Sequence, residues 1–420
     1  MTDAYETGAI FTSTVPKWQR TWYEQQLLDN IRMNCILLPY ARVVEDFNAV
    51  KTGTITYTEV QDAEPNWNTT TESTIWFKGG QLDSRTISIA LNLYHDIMKF
   101  SDYNTILDYV ANGAIPGVVR EKLSRSLEET LDILARNAFL THPNPTFAGS
   151  ADSRATLTSS DYFDVDIAEL ARVHLEELEV PGVASNTDGG SQAIVCVTTP
   201  RVIHDIRTAA GSDWLDVQKY AGAQRKFNSE AGQWGGVRFV KTNRLRLRNA
   251  GLAEHQTTLN GASIPGQGAH TTVDVVYSPG QTGSTAYLPV TSSAGFAVGE
   301  YVTIHAAALG TTVLDADGTQ ETRRIVAIDS GGANRLAFDK PLLKDHLTGA
   351  YCTKALDIHA SVFVGGPGIV YAVGERPNFY TPPKIDDAMM INRVGWRGML
   401  KLQLFRPELF EIHYSGGSID

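Results

Sequence analysis

The chain has 420 residues, 42% of them hydrophobic, enough for a real core and too many for one ordinary domain of about 100 to 200 residues, so two or three domains are expected. Its 36 basic and 47 acidic side chains leave a formal charge of -11, which argues against a protein that lives by neutralising phosphates. Cys35, Cys196 and Cys352 show no paired spacing, so neither a disulfide framework nor a thiolate zinc site is supported, and a reducing compartment fits best. The opening Met1-Thr2-Asp3-Ala4-Tyr5 is not a basic segment leading into an apolar run, and no stretch of roughly eighteen apolar residues occurs, so the chain reads as soluble, unexported and without a membrane partner.

Residues 1–50 mix a polar tail with Trp18, Trp22 and Tyr23, then Leu27, Leu28, Ile31, Cys35 and Leu38 at roughly helical spacing. Such a segment needs a partner surface and reads as a terminal arm. Residues 54–60 alternate strictly, as a strand does, and a second strand-like run follows at 73–78, with a polar tip between them at 61–72. Neither run has enough apolar side chains for two covered faces, so the pair is expected to project as a hairpin needing protection by a neighbour. Residues 86–94 are more apolar and read as a half-buried strand.

The strongest periodicity covers 116–141, where Val119, Leu123, Leu127, Leu131, Leu134 and Ala138 repeat every three or four residues behind Pro116. Glu121 with Arg125, Arg125 with Glu129, and Asp132 with Arg136 are spaced for ion pairs on the opposite, exposed face, and Pro143 and Pro145 stop the helix. A shorter helix is expected at 166–178, with Asp166 and Glu169 as a capping pair and Ile167, Leu170, Ala171, His174 and Leu178 on one face. A buried strand at 193–197 leads into a helix with Thr199 as N-cap and Pro200 in its first turn, closing at Gly211. From about 252 to 356 the pattern changes to short strands separated by Gly, Ser and Thr, for example 273–277, 301–304 and 324–328, with Asp317-Gly318 as a hairpin signal. This stretch reads as an inserted β-rich domain, after which longer apolar strands near 362–364, 369–371 and 400–404 complete the earlier sheets. The fold class is α+β.

Catalytic signatures are missing: there is no phosphate-binding G-x-x-x-x-G-K-[ST] loop, no G-x-S-x-G elbow and no H-E-x-x-H helix. Gly365-Gly366-Pro367-Gly368 has proline where a cradle wants a donor and reads as a turn. His174 with Glu177 lacks a second pair to complete a metal site, and Asp315, Asp317 and Glu321 lack calcium-loop spacing. No catalytic, cofactor-binding or metal residue is assigned, and no cofactor is expected. Scattered tryptophans, among them Trp67, Trp76, Trp214, Trp234 and Trp396, read as core or interface anchors rather than a sugar platform. Arg244, Arg246 and Arg248 alternate as a local positive strip, read as a solvated or interface face.

Two local signatures carry a family resemblance. Residues 200–207, Pro-Arg-Val-Ile-His-Asp-Ile-Arg, are followed by Trp214-Leu215, Lys219-Tyr220-Ala221, and then Phe227-Asn228-Ser229-Glu230-Ala231-Gly232-Gln233-Trp234-Gly235-Gly236-Val237-Arg238-Phe239-Val240. This resembles the proline-started helix, tryptophan-containing helix and Asn-Gly-Glu-x-Gly turn before a Gly-Val-x-Phe-Val strand of the major capsid proteins of tailed bacteriophages. Ser229 replaces a glycine common in that family. Val364-Gly365, Tyr371 and Val394-Gly395-Trp396 echo its closing segment.

The resemblance implies a Hong Kong 97-type capsid fold: an N-terminal arm at 1–50, an extended loop hairpin at 51–85, a peripheral domain at 86–191 with its spine helix at 116–141, an axial domain beginning at 192–251, the inserted domain at 252–356 and return strands at 357–420. It implies a non-enzymatic subunit of an icosahedral shell, assembled in the bacterial host cytoplasm as hexamers and pentamers around double-stranded DNA, which it touches weakly and without specificity. A separate scaffolding protein, a portal and a decoration protein are the implied partners. Inter-subunit contacts are expected from Trp18, Trp22, Tyr23, Tyr57, Glu59, Trp67, Trp76, Arg125 and Glu129. Some relatives crosslink through a loop lysine, but Lys51 and Lys78 lie at the loop's base and its tip has none, so no crosslink is expected. Two other readings stay open: a carbohydrate-binding or carbohydrate-degrading phage protein, and a cellular nanocompartment shell of the same fold.

Overall fold

The computed structural model describes residues 35–46, 53–60, 84–101, 115–184, 192–216, 229–260, 287–306, 320–329, 334–339, 342, 346, 348–382 and 391–417. The chain divides into two compact units, the first made of residues 1–134 and 369–405, the second of 135–368 and 406–420.

In the first unit the strands Ala41–Glu45, Ile369–Tyr380, Ile391–Leu404 and Asn92–Ser101 form a four-stranded sheet in that spatial order. The first pair is parallel, with Ala41 opposite Ile369, and the others are antiparallel, with Ile369 opposite Leu404 and Gly395 opposite Ile97. The register slips between Val373 and Asn378, where Pro377 has no N–H to give the ladder and a bulge absorbs the missing bond.

The hairpin pairs Thr54–Val60 with Ser84–Ala90, from Thr54 opposite Ala90 to Val60 opposite Ser84. This corrects the expected partner: the run at 73–78 lies outside the described residues, and the stretch read as one strand at 86–94 is divided at Leu91 between the hairpin and the sheet strand Asn92–Ser101. Alternation alone cannot decide which of two similar runs a strand pairs with.

Helix α1 spans Ile115–Phe139. Leu123, Leu127, Leu131, Ala135, Ala138 and Phe139 are buried, whereas Leu134 is only half-buried, so Ala135 takes the core place expected of Leu134. Asp132, expected on the exposed face, is buried and accepts the Leu37 N–H at 3.0 Å, satisfying a backbone donor that burial would otherwise strand. Ser126 Oγ donates to Asp96 at 2.7 Å.

In the second unit a mixed nine-stranded sheet runs Thr146–Phe147, Phe410–Ser415, Ile358–Val364, Gln192–Thr198, Val237–Lys241, Glu230–Trp234 and Leu215–Asp216, with Arg246–Leu247 and Val183–Ala184 pairing at its side. Helices α2 (Val165–Glu177) and α3 (Pro200–Ala210) pack on it through Ala168, Ala171, Leu175, Val202, Ile203 and Ile206 against Ile194, Cys196, Val237, Phe239 and Phe363. Helix α2 differs from expectation in two ways. Its N-cap is Asp164, which accepts the Val165 N–H at 2.7 Å, rather than the Asp166–Glu169 pair, and its buried stripe is Ala168, Ala171 and Leu175. Leu170 and Leu178 are 65% and 49% exposed because the small alanines let the helix approach the sheet on the other side.

Trp214, expected in a helix, instead precedes the edge strand Leu215–Asp216 and is buried, its ring 5.4 Å from that of Phe239. The expected turn at Gly232 is also displaced: Gly232 lies within the strand Glu230–Trp234, where a Cβ would stand 2.3 Å from the Trp214 ring. The two-residue turn is Gly235-Gly236, both at positive φ (54° and 84°), the conformation that joins Trp234 to its partner Val237 with matching twist. Ser229 sits at φ 60°, left-handed backbone that glycine adopts without cost.

The insertion is a closed barrel. Its six strands run Ala253–Thr258, Tyr351–Ala355, Tyr301–His305, Glu321–Asp329, Arg335–Phe338 and Tyr287–Pro289. The ring closes because Leu259 bridges Val290, with Asn260 N–H donating to Pro289 O and Thr291 N–H to Thr258 O. Leu259, Leu288, Val290, Val302, Ile304, Ile325, Leu336, Phe338 and Cys352 fill it, and closure removes the strand edges that an open sheet would expose. The expected strand at 273–277 and the Asp317-Gly318 turn lie outside the described residues. The two ends of the insertion leave the lobe together: Leu356 N–H donates to Leu252 O at 3.0 Å, and Leu252 N–H to Leu157 O.

Candidate functional site

The hairpin base is held by side chains from distant parts of the first unit. Ile55 and Ile89 point into a cluster with Leu91, Val370, Ala372 and Phe405. Tyr57 meets the Phe405 ring edge-on at 5.0 Å, and Arg85 lies over that same ring. Arg42 covers Tyr57 at 5.3 Å and pairs with Glu59 at 3.2 Å. Tyr57 and Glu59, both expected at subunit contacts, are therefore brought together by Arg42 within their own chain. Arg42 and Phe405 were missed, and no local signal marks them, since Phe405 lies far along the sequence from the strand it supports.

Beyond the base the hairpin is bare. Among the described residues it has two strands and no third, and side chains alternate between exposed and half-covered toward its far end, where Val60 is 58% exposed. Thr58 and Thr86 hydroxyls meet across it at 3.0 Å. Two strands alone are marginal in water, and open edges invite a further strand. Arg125 and Glu129 do pair along exposed α1, at 3.7 Å. Trp18, Trp22, Tyr23, Trp67 and Trp76 lie outside the described residues.

In the second unit several buried polar groups are satisfied within the fold. His359 is fully buried and its Nδ1 meets Thr199 Oγ1 at 2.9 Å, which occupies the hydroxyl expected to cap α3. Burial, with Arg201 and Arg246 nearby, lowers its pKa to about 4, so it is neutral at physiological pH. Asp357 accepts from Arg246 Nε (2.8 Å) and from the Asn249 N–H (2.9 Å). His174, expected on a core face, is exposed and paired with Glu411. Burial opposes ionisation of Glu411, yet the His413 and His174 imidazoles outweigh it and hold the carboxyl below its usual range.

Among the described residues no group of three His, Cys, Asp or Glu side chains is placed to hold a metal. Cys35, Cys196 and Cys352 are buried, none in a disulfide, and burial pushes Cys352 up to about 12. Such thiols are not poised as nucleophiles. Trp214 and Trp396 are buried anchors of the two cores. What the molecule offers is surface: a bare hairpin, an exposed charged helix and an apolar stripe on α2.

Comparison with known proteins agrees. The family model described as Phage capsid protein matches residues 137–342. Among solved structures, the chain is similar to the capsid of Ralstonia phage GP4, with 12% identity and a TM-score of 0.51 over 87% of this chain and 84% of that one. Similarity to the cyanophage Pam1 capsid asymmetric unit (10% identity, TM-score 0.47, 91% and 92% covered) and to the head of Helicobacter pylori bacteriophage KHP40 (7%, 0.48, 90% and 87%) is looser. The fold assignment rests on the first of these together with the family match. No curated protein sequence matches the chain.

Proposed function

Since this chain is a structural major capsid protein of a tailed-phage head, with the α+β Hong Kong 97-type fold, we propose that it closes its shell as hexamers and pentamers locked by non-covalent contacts. The observation that carries this reading is the two-stranded hairpin, whose base is anchored by Ile55, Ile89 and Phe405 while, among the described residues, nothing covers its far half. A neighbouring subunit is the natural cover, supplying strand pairing and apolar contact together. The arm at 1–50 and the aromatic residues Trp18, Trp22, Tyr23, Trp67 and Trp76 extend that contact, and the Arg125–Glu129 face of α1 borders it.

In this reading 51–85 is the extended loop, 86–191 with α1 as its spine the peripheral domain, 192–251 the first part of the axial domain, and 357–420 the return strands that complete both. Assembly takes place in the host cytoplasm with a separate scaffolding protein and a portal, and a decoration protein is a further partner. Contact with the packaged double-stranded DNA is weak, in keeping with the charge of -11. Light scattering and negative-stain electron microscopy, on the protein expressed alone and with a scaffolding protein, test the proposal. Closed shells or six-membered rings are expected that fall apart to monomers in denaturing gels. A monomer under every condition overturns the assembly reading, and a denaturant-resistant ladder overturns the non-covalent one.

A further inference from the structure

Where the barrel meets the lobe there is a cavity of about 220 Å³ walled by Arg136, Arg246, Arg248, Thr303, Gln320 and Thr322. Three guanidiniums face it and no described carboxylate lines it. Each is pre-positioned. Arg136, in the last turn of α1, donates to Asn137 Oδ1 at 2.8 and 3.0 Å; Arg246 is tied to Asp357 at 2.8 Å; Arg248 lies 4.2 Å from the centroid of the Tyr301 ring. Among the described residues Arg248 has no carboxylate partner, and its five N–H donors are available to an acceptor. The barrel contributes hydroxyls, with Thr303 and Thr322 oxygens 2.9 Å apart.

Converging like charges repel, and here, where Arg248 is exposed and Arg246 has a carboxylate against it, an anion seated among the three relieves that repulsion. A chain with eleven net negative charges has no general need of such a cluster. Planar guanidinium forks match the oxygens of a carboxylate or phosphate in pairs, which an ammonium does not do. The volume exceeds that of several waters at about 30 Å³ each, so one oxyanion fits with part of its hydration.

We propose that this cavity is an oxyanion-binding site whose ligand, a phosphate or a carboxylate, ties the barrel to the lobe by engaging the lobe's Arg246 and Arg248 and the barrel's Thr322 together. The ligand comes either from solution or from a side chain of a neighbouring copy.

The test uses the full-length protein, kept unassembled and titrated with inorganic phosphate against sodium chloride at matched ionic strength, read by calorimetry and thermal unfolding. Saturable binding and a rising Tm are expected, with affinity about tenfold weaker in Arg248→Gln and unchanged in Arg397→Gln, which lies in the other unit. Should Arg248→Gln fail to fold, Thr322→Val is read instead and is expected to bind more weakly than the parent. No saturable binding above the chloride control, or equal affinity in the parent and the wall variant, overturns the site. If phosphate slows assembly of the parent but not of Arg248→Gln, the native ligand is a neighbour's carboxylate; if it binds without affecting assembly, the ligand is a free oxyanion, and either result upholds the site. Binding is read on unassembled protein, so the site can fail while the shell reading stands.

Discussion

The hairpin and the barrel are both small antiparallel β elements, and they solve the problem of strand edges in opposite ways. The barrel closes on itself through Leu259 and Val290 and keeps Leu288, Val302, Ile304, Ile325 and Leu336 inside. Among the described residues the hairpin stops at two strands, buries only Ile55 and Ile89 deeply, and leaves Val60 exposed. A closed element is stable by itself and indifferent to neighbours; an open one is incomplete until something covers it. The first behaves as a domain; the second, on the proposed reading, is half of an interface.

That contrast can be broken by mutation. Leu336→Ala, in the barrel core, is expected to cost about 3 kcal/mol of unfolding free energy in urea; a loss below about 1 kcal/mol means the barrel core is not packed as described. Next comes acid, at the joint where the strand leading to the barrel pairs Arg246 with His359. The folded pKa of His359, about 4, lies below the unfolded value of about 6.5. The unfolded chain therefore binds the proton first, and stability falls as pH drops from 6.5 toward 4, by up to about 3 kcal/mol. Urea midpoints at pH 7 and pH 4.5 measure the slope, and His359→Gln is expected to flatten it. In the hairpin, Val60→Asp should change subunit stability by less than about 0.5 kcal/mol, because Val60 is exposed. The same substitution should lower shell yield strongly in light scattering, and normal shells from Val60→Asp would sink the idea of the hairpin as an interface. The smallest effect belongs to Ser229→Gly, which relieves a left-handed serine and should raise stability by about 0.5 kcal/mol in both assembled and unassembled protein.

Much of this was legible in the sequence where local pattern decides. Helix α1 follows its leucine spacing, the proline-started α3 begins at Pro200, and short strands separated by Gly, Ser and Thr mark the stretch that forms the six-stranded sheet. Pattern failed where partners are remote. The strand Thr54–Val60 was readable but its partner was not, because the runs at 73–78 and 84–90 are similar in character. Helix α2 was expected to bury Ile167, Leu170, Ala171, His174 and Leu178, yet of these Ala171 alone is fully buried, beside Ala168 and Leu175, because close packing rewards small residues. Barrel closure depends on Leu259 meeting Val290, a contact no periodicity encodes. At the candidate interface, Tyr57 and Glu59 were picked out, whereas Arg42 and Phe405, which position them, are visible only in three dimensions.

The hydrogen bond between Leu356 and Leu252 makes a narrow doorway through which the chain both leaves the lobe and returns to it. A lineage could lose, gain or trade the whole barrel there with one short splice, since bringing two already adjacent ends together costs little chain entropy. The same doorway suits an engineer who wishes to replace the barrel with a foreign domain for display on a particle. On the proposed reading the hairpin permits no such exchange, because each copy would have to fit the copy beside it.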